Sequence, residues 1–285
     1  MMILFSCQKE DSISSPGSTS VTEEDAALYA DESTQAEASF DDAEDISMTA
    51  AEEEGFVSTA GRPADPNRPI LTFEELRLRI GHCATITVTP NDSTYPKTIT
   101  IDFGNGCLGL DGKFRRGAII LHLTGPIRRS GSVLTISFRN FYLNRAHIEG
   151  TKVISNLSAN GNIKFTVQVT GGKLTFPTGR GYSYESLKYV KQVEGGATAI
   201  VRDDVYTIEG RSKTVFNNGV TVQLNTESPL VKKIVCPWIS NGTLKIKIND
   251  RVLFLDYGAP GNGDCDNKAL LTWNNGANQR LITLP

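Results

Sequence analysis

Two stretches of the chain repeat one pattern of cysteines, alternating strands and turn residues. This repeat constrains the fold more than any other feature. The first stretch runs from Cys83 to Cys107 through an Asp-Phe-Gly step, and the second runs from Cys236 to Cys265 around an Asp-Tyr-Gly step. In each, an Asp-Gly-Lys or Asp-Asn-Lys step and an apolar strand come after. The repeat predicts two similar, disulfide-stapled corners of one β domain.

The five cysteines divide into Cys7, near the start, and the four of the repeat. Four cysteines allow three pairings, and the repeat favours Cys83–Cys107 and Cys236–Cys265. Such pairing implies an oxidising compartment, whereas the alternative is four buried, reduced thiols in a cytosolic protein. A zinc site is disfavoured because there is no Cys-x-x-Cys and none of the three histidines has a partner at ligand spacing.

Charge is distributed unevenly along the chain. Residues 1–70 hold sixteen acidic and three basic residues, a formal −13, whereas residues 71–285 hold sixteen acidic and twenty-six basic residues, a formal +10. Such asymmetry bears on partners and solubility rather than on fold.

The segment 8–70 is rich in Ser, Thr, Ala and acidic residues and has few large apolar side chains. Such a composition cannot bury enough surface to offset the entropy of ordering the chain. We therefore expect a disordered acidic tether that can be removed without unfolding the rest. Helix formers over Asp41–Glu54 leave room for a short helix within it.

From residue 71 onwards the pattern changes to period-two alternation, which indicates strands with one buried face. Leu76, Leu78 and Ile80 alternate with arginines, and Ile86 and Val88 alternate with threonines. No long helical pattern intervenes, so parallel βαβ units are disfavoured. Residues 71–285 are predicted to form a single all-β domain, an antiparallel, sandwich-like body. Further strands are predicted at Thr98–Phe103, Ala118–Leu123, Val133–Leu143, His147–Ile154, Ile163–Val169, Lys173–Phe176, Glu185–Gln192, Ala197–Ile208, Thr214–Phe216, Thr221–Leu224, Val231–Val235, Leu244–Ile248, Val252–Tyr257, Ala269–Trp273 and Arg280–Leu284.

Basic and aromatic residues near turns are the candidates for ligand binding. The bases could face anionic glycans or lipid headgroups, and the indole rings could stack on sugars. The alternatives are a charged edge that protects strand ends from aggregation and aromatic residues of the core or its rim. The candidates are Arg115, Arg116, Arg128, Arg129, Trp238 and Trp273.

Alternating oxygen ligands in one loop make a weak calcium candidate. Asn262, Asp264 and Asp266 are spaced two apart, as in Asp-x-Asp-x-Asp loops, but the bidentate Glu of an EF-hand is missing. The alternative is that they set turn geometry beside a disulfide. We expect no metal and no other cofactor.

Carboxylates are the only candidates for catalysis. Asp102 and Asp256 occupy the same place in the two copies, and glycoside hydrolysis needs two carboxylates across a sugar. Asp203 and Asp204 are adjacent, so on a strand they would point to opposite faces. Repeated Asp-aromatic-Gly is more simply a strand-end device, and no catalytic Ser motif is present. We assign no catalytic residue, and the sequence leans against an enzyme.

The first residues resemble the end of a bacterial lipoprotein signal. Leu4-Phe5-Ser6-Cys7 is similar to a lipobox, so residues 1–7 are interpreted as a remnant signal and Cys7 as the lipidated residue. Gln8-Lys9-Glu10-Asp11 resembles the surface-export signal of Bacteroidetes lipoproteins. This implies a protein of the outer membrane, held by its lipid and exposed at the cell surface.

The β body resembles a group of uncharacterised Bacteroidetes surface lipoproteins. The similarity lies in Ile-Asp-Phe-Gly-x-Gly-Cys-x-Gly-x-Asp-Gly, Arg-Arg-Gly, the segment from Pro229 to Trp238, Asp-Tyr-Gly and Cys-Asp-Asn. It implies secretion and lipidation, and it brings no catalytic residues. We therefore expect a non-enzymatic lipoprotein that binds a glycan or another envelope component and no nucleic acid. The alternatives are a glycan-active hydrolase with a carboxylate pair and an envelope structural or lipid-handling protein.

Overall fold

The strands of the body lie side by side in nearly the order of the chain. The computed structural model describes residues 22–59, 73–160, 162–195, 203–249 and 251–284. Two helices come first, α1 (Glu23–Thr59) and α2 (Glu74–Ile80). The strands are β1 (Thr85–Thr89), β2 (Lys97–Asp102), β3 (Cys107–Leu108), β4 (Phe114–Leu123), β5 (Val133–Leu143), β6 (Ala146–Asn156), β7 (Lys164–Thr175), β8 (Gly181–Glu194), β9 (Val205–Phe216), β10 (Thr221–Lys233), β11 (Asn241–Ile248), β12 (Arg251–Asp256), β13 (Lys268–Trp273) and β14 (Asn278–Thr283).

All the strands belong to one antiparallel sheet. Each strand pairs with the next along the chain, except that β2 pairs with β4 and the short β3 attaches only to β4. The prediction of an all-β antiparallel body is confirmed. The strands form a single sheet, and what packs against its concave side is the helix α1.

Several predicted pairs of short strands are single long strands with bulges. Ile163–Val169 and Lys173–Phe176 are both part of β7, whose pairing with β8 shifts register between Val169 and Gly172. The Glu-Gly steps at Gly150 and Gly210 lie inside β6 and β9 rather than between strands. A glycine in a sequence suggests a turn, but a glycine within a strand often marks a bulge or the close approach of another segment. The first part of the predicted strand Ala197–Ile208, residues 197–202, lies outside the described residues.

Gly172 shows why there is no room for a side chain at such a bulge. A Cβ there would lie 2.4 Å from the carbonyl oxygen of Tyr184 and 3.0 Å from the ring of Phe40, which belongs to α1. The bulge therefore makes room for the helix.

The predicted strand around Leu76–Ile80 is wrong, because these residues form α2. Leu76 and Ile80 are four residues apart and both buried, whereas Leu78 is 71% exposed. Five alternating residues also contain an i, i+4 pair, so a short run fits either period. The carboxylate of Glu53 in α1 accepts hydrogen bonds from the amides of Glu75 and Leu76 at 3.0 and 3.1 Å, which caps α2 from another element.

The predicted tether is wrong over residues 23–59, which form α1 and pack into the body. Thr22 begins the helix: its hydroxyl accepts the amide of Asp25 at 3.1 Å and donates to the Asp25 carboxylate at 2.6 Å, a capping arrangement. Between residues 33 and 55 only Gln35 and Asp45 are exposed. Residues 8–21 and 60–72 of the predicted tether lie outside the described residues.

The sheet curls around α1. Arg115 of β4 binds Asp42, while Lys188 of β8 binds Asp41, the preceding residue of the helix. Four steps between strands would separate β4 from β8 by about 19 Å in a flat sheet. One turn of a helix about 10–12 Å wide can meet both only if the sheet bends around it. We call the side that faces α1 the inner face and the opposite side the outer face.

The two faces differ in composition. Inner positions along the strands are mostly apolar and fully buried, for example Ile99, Leu121, Ile136, Leu224 and Ile246. Phe40 of α1 stacks on Tyr184 at 5.0 Å and meets Phe138 edge-on at 6.2 Å. Outer positions are rich in Thr, Ser, Lys and Arg. The alternation that predicted strands therefore also places the core correctly.

Candidate functional site

The body carries a set of cations, on the inner face and at its rim, that bind the acidic side chains of α1. Among the described side chains, eight acidic residues of α1 pair with eight basic residues of the body, and the sequence of α1 contains no Lys, Arg or His. The acidic partners are Glu32, Glu37, Asp41, Asp42, Glu44, Asp45, Glu52 and Glu54. Their basic partners are Arg79, Lys97, Lys113, Arg115, Arg128, Lys152, Arg180 and Lys188. The uneven distribution of charge along the sequence thus reflects ion pairs within the protein, between the acidic helix α1 and basic residues of the body.

Arg115 lies at the centre of the largest of these clusters. Its side chain is fully buried; it donates to both oxygens of Asp42 at 2.8 and 3.0 Å and to Asp111 at 2.6 Å. Burial opposes ionisation, but the charges of Arg115 and Lys113 hold the pKa of Asp42 below its usual value. Every donor of this guanidinium that is seen to bond faces a carboxylate. Arg115 therefore has a structural role in this fold, and its role in binding a ligand stays a prediction.

In two neighbouring clusters a lysine of the sheet likewise binds carboxylates of α1. Lys97 is completely buried and binds Glu54 at 2.9 Å. Lys152 is also buried and binds both Asp41 and Glu44, and Lys188 binds Glu37 at 2.6 Å and Asp41 at 3.2 Å.

These contacts move the pKa values of the carboxyls in opposite directions. Desolvation works against ionisation, yet Lys188 and Lys152 together lower the pKa of Asp41 to about 2. For Glu44 and Glu52 desolvation is the larger effect and raises the pKa, in spite of the nearby Lys152 and Arg128 respectively. The helix α1 therefore carries both carboxyls whose pKa is lowered and carboxyls whose pKa is raised.

The other predicted ligand-binding arginines are spread over the surface. Arg116 is exposed on β4 and lies over the ring of Tyr142 at 3.9 Å, and that ring stacks on His147 at 4.5 Å. Arg128, in the turn after β4, binds Glu52 at 3.0 Å and keeps 48% exposure. Arg129, next to it, is exposed.

The two tryptophans do not form an open stacking platform with the arginines. Trp238 lies in the loop after β10 and Trp273 ends β13; both are partly buried and pack against the hydrophobic core. The structure does not bring the six predicted ligand-binding residues into one site.

The repeated corners are built alike, as predicted. Disulfides join Cys83 to Cys107 and Cys236 to Cys265. In both copies the Asp-aromatic-Gly step forms the same turn, with Asp102 accepting the amide of Gly104 and Asp256 accepting that of Gly258, each at 2.8 Å. The later Asp also repeats its bond: Asp111 accepts the amide of Lys113 at 3.1 Å and Asp266 that of Lys268 at 2.7 Å.

The carboxylates considered for catalysis or calcium therefore have local roles. Asp102 also binds Arg139 at 2.9 Å, and it lies on β2 whereas Asp256 lies on β12. Asp204 is buried and accepts hydrogen bonds from Gln192 and Tyr206 at 2.7 and 3.1 Å, while Asp203 is exposed. Among the described residues, no group of three or more His, Cys, Asp or Glu side chains is placed to hold a metal ion. Asn262 and Asp264 lie exposed in the loop beside Asp266.

The inner face leaves little space beside α1. A pocket between Glu37, Lys188 and the strands β9 to β11 has a volume of about 10 Å³, which is room for about one water molecule. A drug-sized ligand needs several hundred Å³. Binding of a larger ligand would have to use the outside of the molecule or follow departure of α1.

A compact set of bases on the outer face was missed by sequence reasoning. The pairing of β9, β10 and β11 aligns Arg211 with Asn225 and Lys245, and Lys213 with Gln223 and Lys247. All six point outwards; five are exposed and Lys245 is half-buried. We call these six residues the outer basic grid. The signal was present in the alternation Arg-x-Lys on β9 and Lys-x-Lys on β11, but only the register shows that they meet.

No helix among the described residues combines the length and the apolarity needed to cross a membrane. Comparison of the chain with protein-family models, with curated proteins and with solved structures finds no match. The function is therefore to be inferred from the geometry.

Proposed function

We propose that the protein is a non-enzymatic lipoprotein of the cell surface, anchored by Cys7, that binds a glycan or another envelope component through the outer face of its sheet. The observation that carries the proposal is the position of α1. Because α1 occupies the inner face and neutralises its cations, the surface left for a partner is the outer one. Outer-face bases such as Lys213 and Lys247 form no ion pair with other described residues.

The compartment is supported by the two disulfides, since such bonds persist in oxidising surroundings. The anchor rests on the lipobox-like residues that end at Cys7, which lies outside the described residues. A lipoprotein anchor supplies at least two acyl chains, which suffices for stable attachment where one chain is marginal.

Two measurements on the full chain test the proposal. Expressed behind a complete signal peptide, the protein should fractionate with the outer membrane and be open to external protease, while Cys7→Ser should be soluble. Screening against a glycan array and isolated envelope fractions should then give saturable binding. A soluble, unlipidated wild type would overturn the anchor, and absence of binding to any glycan or envelope fraction would overturn the binding role.

A second candidate function is lipid handling, favoured by the curvature of the sheet. Without α1 the inner face would be a concave apolar surface lined by cations, suited to an anionic amphiphile. The hydroxyls of Ser33 in α1 and Thr214 in β9 lie 2.8 Å apart, so Ser33→Cys with Thr214→Cys should lock the helix in place by a disulfide. If lipid replaces α1, the oxidised variant should lose lipid binding and regain it on selective reduction of the new bond. Equal binding by locked and unlocked protein would exclude this function.

A further inference from the structure

The outer basic grid has a regular arrangement that suggests a specific class of ligand. Each of its two rows reads base, amide, base across β9, β10 and β11: Arg211, Asn225, Lys245 in one row and Lys213, Gln223, Lys247 in the other. Neighbouring strands lie about 4.8 Å apart and alternate residues about 6.8 Å apart along a strand. The four bases therefore stand at the corners of a rectangle of about 7 by 10 Å, with two amides between them.

The bases of the grid differ from the inner cations in their surroundings. None of the four forms an ion pair with other described residues, in contrast to the inner cations. Among the described residues, the acidic side chains near the grid lie at its margin: Glu185 is aligned with Lys213, and Glu209, Glu227 and Asp256 lie beyond the other row. The grid is thus a bounded positive patch whose attraction for an anion is not neutralised from within.

The remaining groups fit a ligand that carries hydroxyls as well as negative charge. Amide side chains both donate and accept hydrogen bonds, as hydroxyl groups do. The row that contains Asn225 ends in half-buried Leu187 on one side and half-buried Phe254 on the other, which offer apolar contact to a sugar ring. The surface is the open face of a sheet that runs over three strands, so it suits an extended chain better than a small molecule.

We propose that the outer basic grid binds an acidic polysaccharide, a chain of sugars bearing carboxylate or sulfate groups. This inference rests on the proposed function and names the class of glycan and the residues that hold it. The bases contact the acidic groups of the polymer, and Asn225 and Gln223 contact its hydroxyls.

The test compares two double variants of the full chain with equal changes of charge. Lys213→Glu with Lys247→Glu reverses two corners of the grid. The control, Lys164→Glu with Lys191→Glu, reverses two exposed lysines that are aligned across β7 and β8. Both should keep the melting temperature of the parent. Binding is measured with alginate oligomers, heparin, neutral dextran and a DNA duplex, at low and at physiological salt.

We expect the parent to bind alginate or heparin, and the grid variant to bind at least about tenfold more weakly because attraction at two contacts becomes repulsion. The control should change affinity by less than about twofold, since charges beyond a Debye length are screened. Glu185→Gln, which removes the carboxylate beside Lys213, should tighten binding. Asn225→Ala with Gln223→Ala should weaken binding to the polysaccharide without changing its salt dependence.

Other outcomes separate the failure of this inference from failure of the proposed function. If a glycan is bound but both double variants lose affinity equally, or neither does, the grid is not the site and the binding role stands. If DNA binds as tightly as the polysaccharides, the patch is a general polyanion surface and the inference is overturned. If the parent binds no glycan or envelope fraction at all, the proposed function falls as well.

Discussion

The inner and outer faces of the sheet both carry lysine and arginine, but these residues have opposite surroundings. Lys188, on the inner face of β8, binds Glu37 and Asp41 of α1 and is 12% exposed. Lys213, on the outer face of the adjacent strand β9, is exposed and has no ionic partner among the described residues. The same residue type therefore fixes a helix on one side and remains available to a ligand on the other.

This difference indicates that the inner ion pairs determine the position of α1 on the sheet more than they contribute to the free energy of its packing. Burying charges costs desolvation energy that the attraction between them only partly offsets, whereas leaving one member unpaired is strongly destabilising. A shift of α1 by one turn would separate Asp42 from Arg115 and Glu54 from Lys97, both fully buried pairs. Apolar contacts such as Phe40 on Tyr184 supply attraction, and the pairs select one register.

The largest effect should follow from removal of α1. Deleting residues 22–59 exposes the apolar inner face, leaves Lys97 and Lys152 without counter-charges and leaves Arg115 with Asp111 alone. The loss should exceed the stability of an ordinary domain, about 5–15 kcal/mol, so the sheet should not fold. Near-ultraviolet circular dichroism and size-exclusion chromatography would show this. Removal of residues 1–21 is the control truncation, because it leaves α1 in place. If the protein without α1 melted like the parent, the inner face would not need α1, and the contrast between the two faces would be wrong.

A smaller but still large effect is expected at single inner pairs. Asp42→Ala leaves Arg115 buried with only Asp111 as partner and should cost about 3–5 kcal/mol of unfolding free energy. Combining it with Arg115→Met should recover most of this loss, because no unpaired charge then remains. Asp45→Ala is the control on the same helix: Asp45 is 49% exposed and 3.4 Å from Arg79, and such a pair contributes less than about 1 kcal/mol. Equal losses for Asp42→Ala and Asp45→Ala, measured by urea unfolding, would contradict this.

The sequence predicted the strands and the corners well and failed on α1, for one physical reason. Alternation and Gly or Asn turns are local signals, and the repeat of Cys, Asp and Gly was enough to pair the cysteines. Alpha-helix α1 buries mainly Ala, Ser and acidic residues, for example Ala43, Ser47 and Glu54. A composition with few large apolar residues indicates disorder when a segment is considered alone. Its partners on the strands lie more than forty residues away in sequence, and only the opposite charges of the two parts of the chain pointed to them.

The candidate site was predicted less well because a surface depends on register. Arg115 and Arg116 are adjacent in sequence and were treated alike, yet one is buried against Asp42 and the other exposed beside Tyr142. The period of two shows that neighbouring residues of a strand face opposite sides of the sheet. It does not show that an acidic helix packs on the inner side. The outer basic grid likewise needs three strands at known register, which no local pattern supplies.

A moderate effect of pH should distinguish the inner carboxyls. The pKa values of Asp41, Asp42 and Asp111 are lowered in the fold, so these groups stabilise the protein above their unfolded pKa of about 4, and this is lost as the pH falls below it. The pKa values of Glu44 and Glu52 are raised, so their contribution has the opposite sign. Between pH 7 and about pH 5 stability should hold or rise slightly, and below about pH 4 it should fall steeply. In Glu52→Gln any rise should be smaller, and a steady loss of melting temperature from pH 7 downwards would contradict the assignment.

The smallest effect is expected on the outer face. Lys213→Ala removes an exposed lysine that has no ionic partner among the described residues, so the unfolding free energy should change by less than about 0.5 kcal/mol. Lys188→Ala is its matched inner counterpart: it leaves Glu37 and Asp41 without their shared cation, and Glu37 is only 14% exposed. It should therefore cost several times as much, and the loss should respond little to salt because the pair is shielded from solvent. A loss above about 1 kcal/mol for Lys213→Ala would mean that the outer lysine has a structural partner. The outer basic grid would then belong to the fold, and its bases would not be available to a polysaccharide.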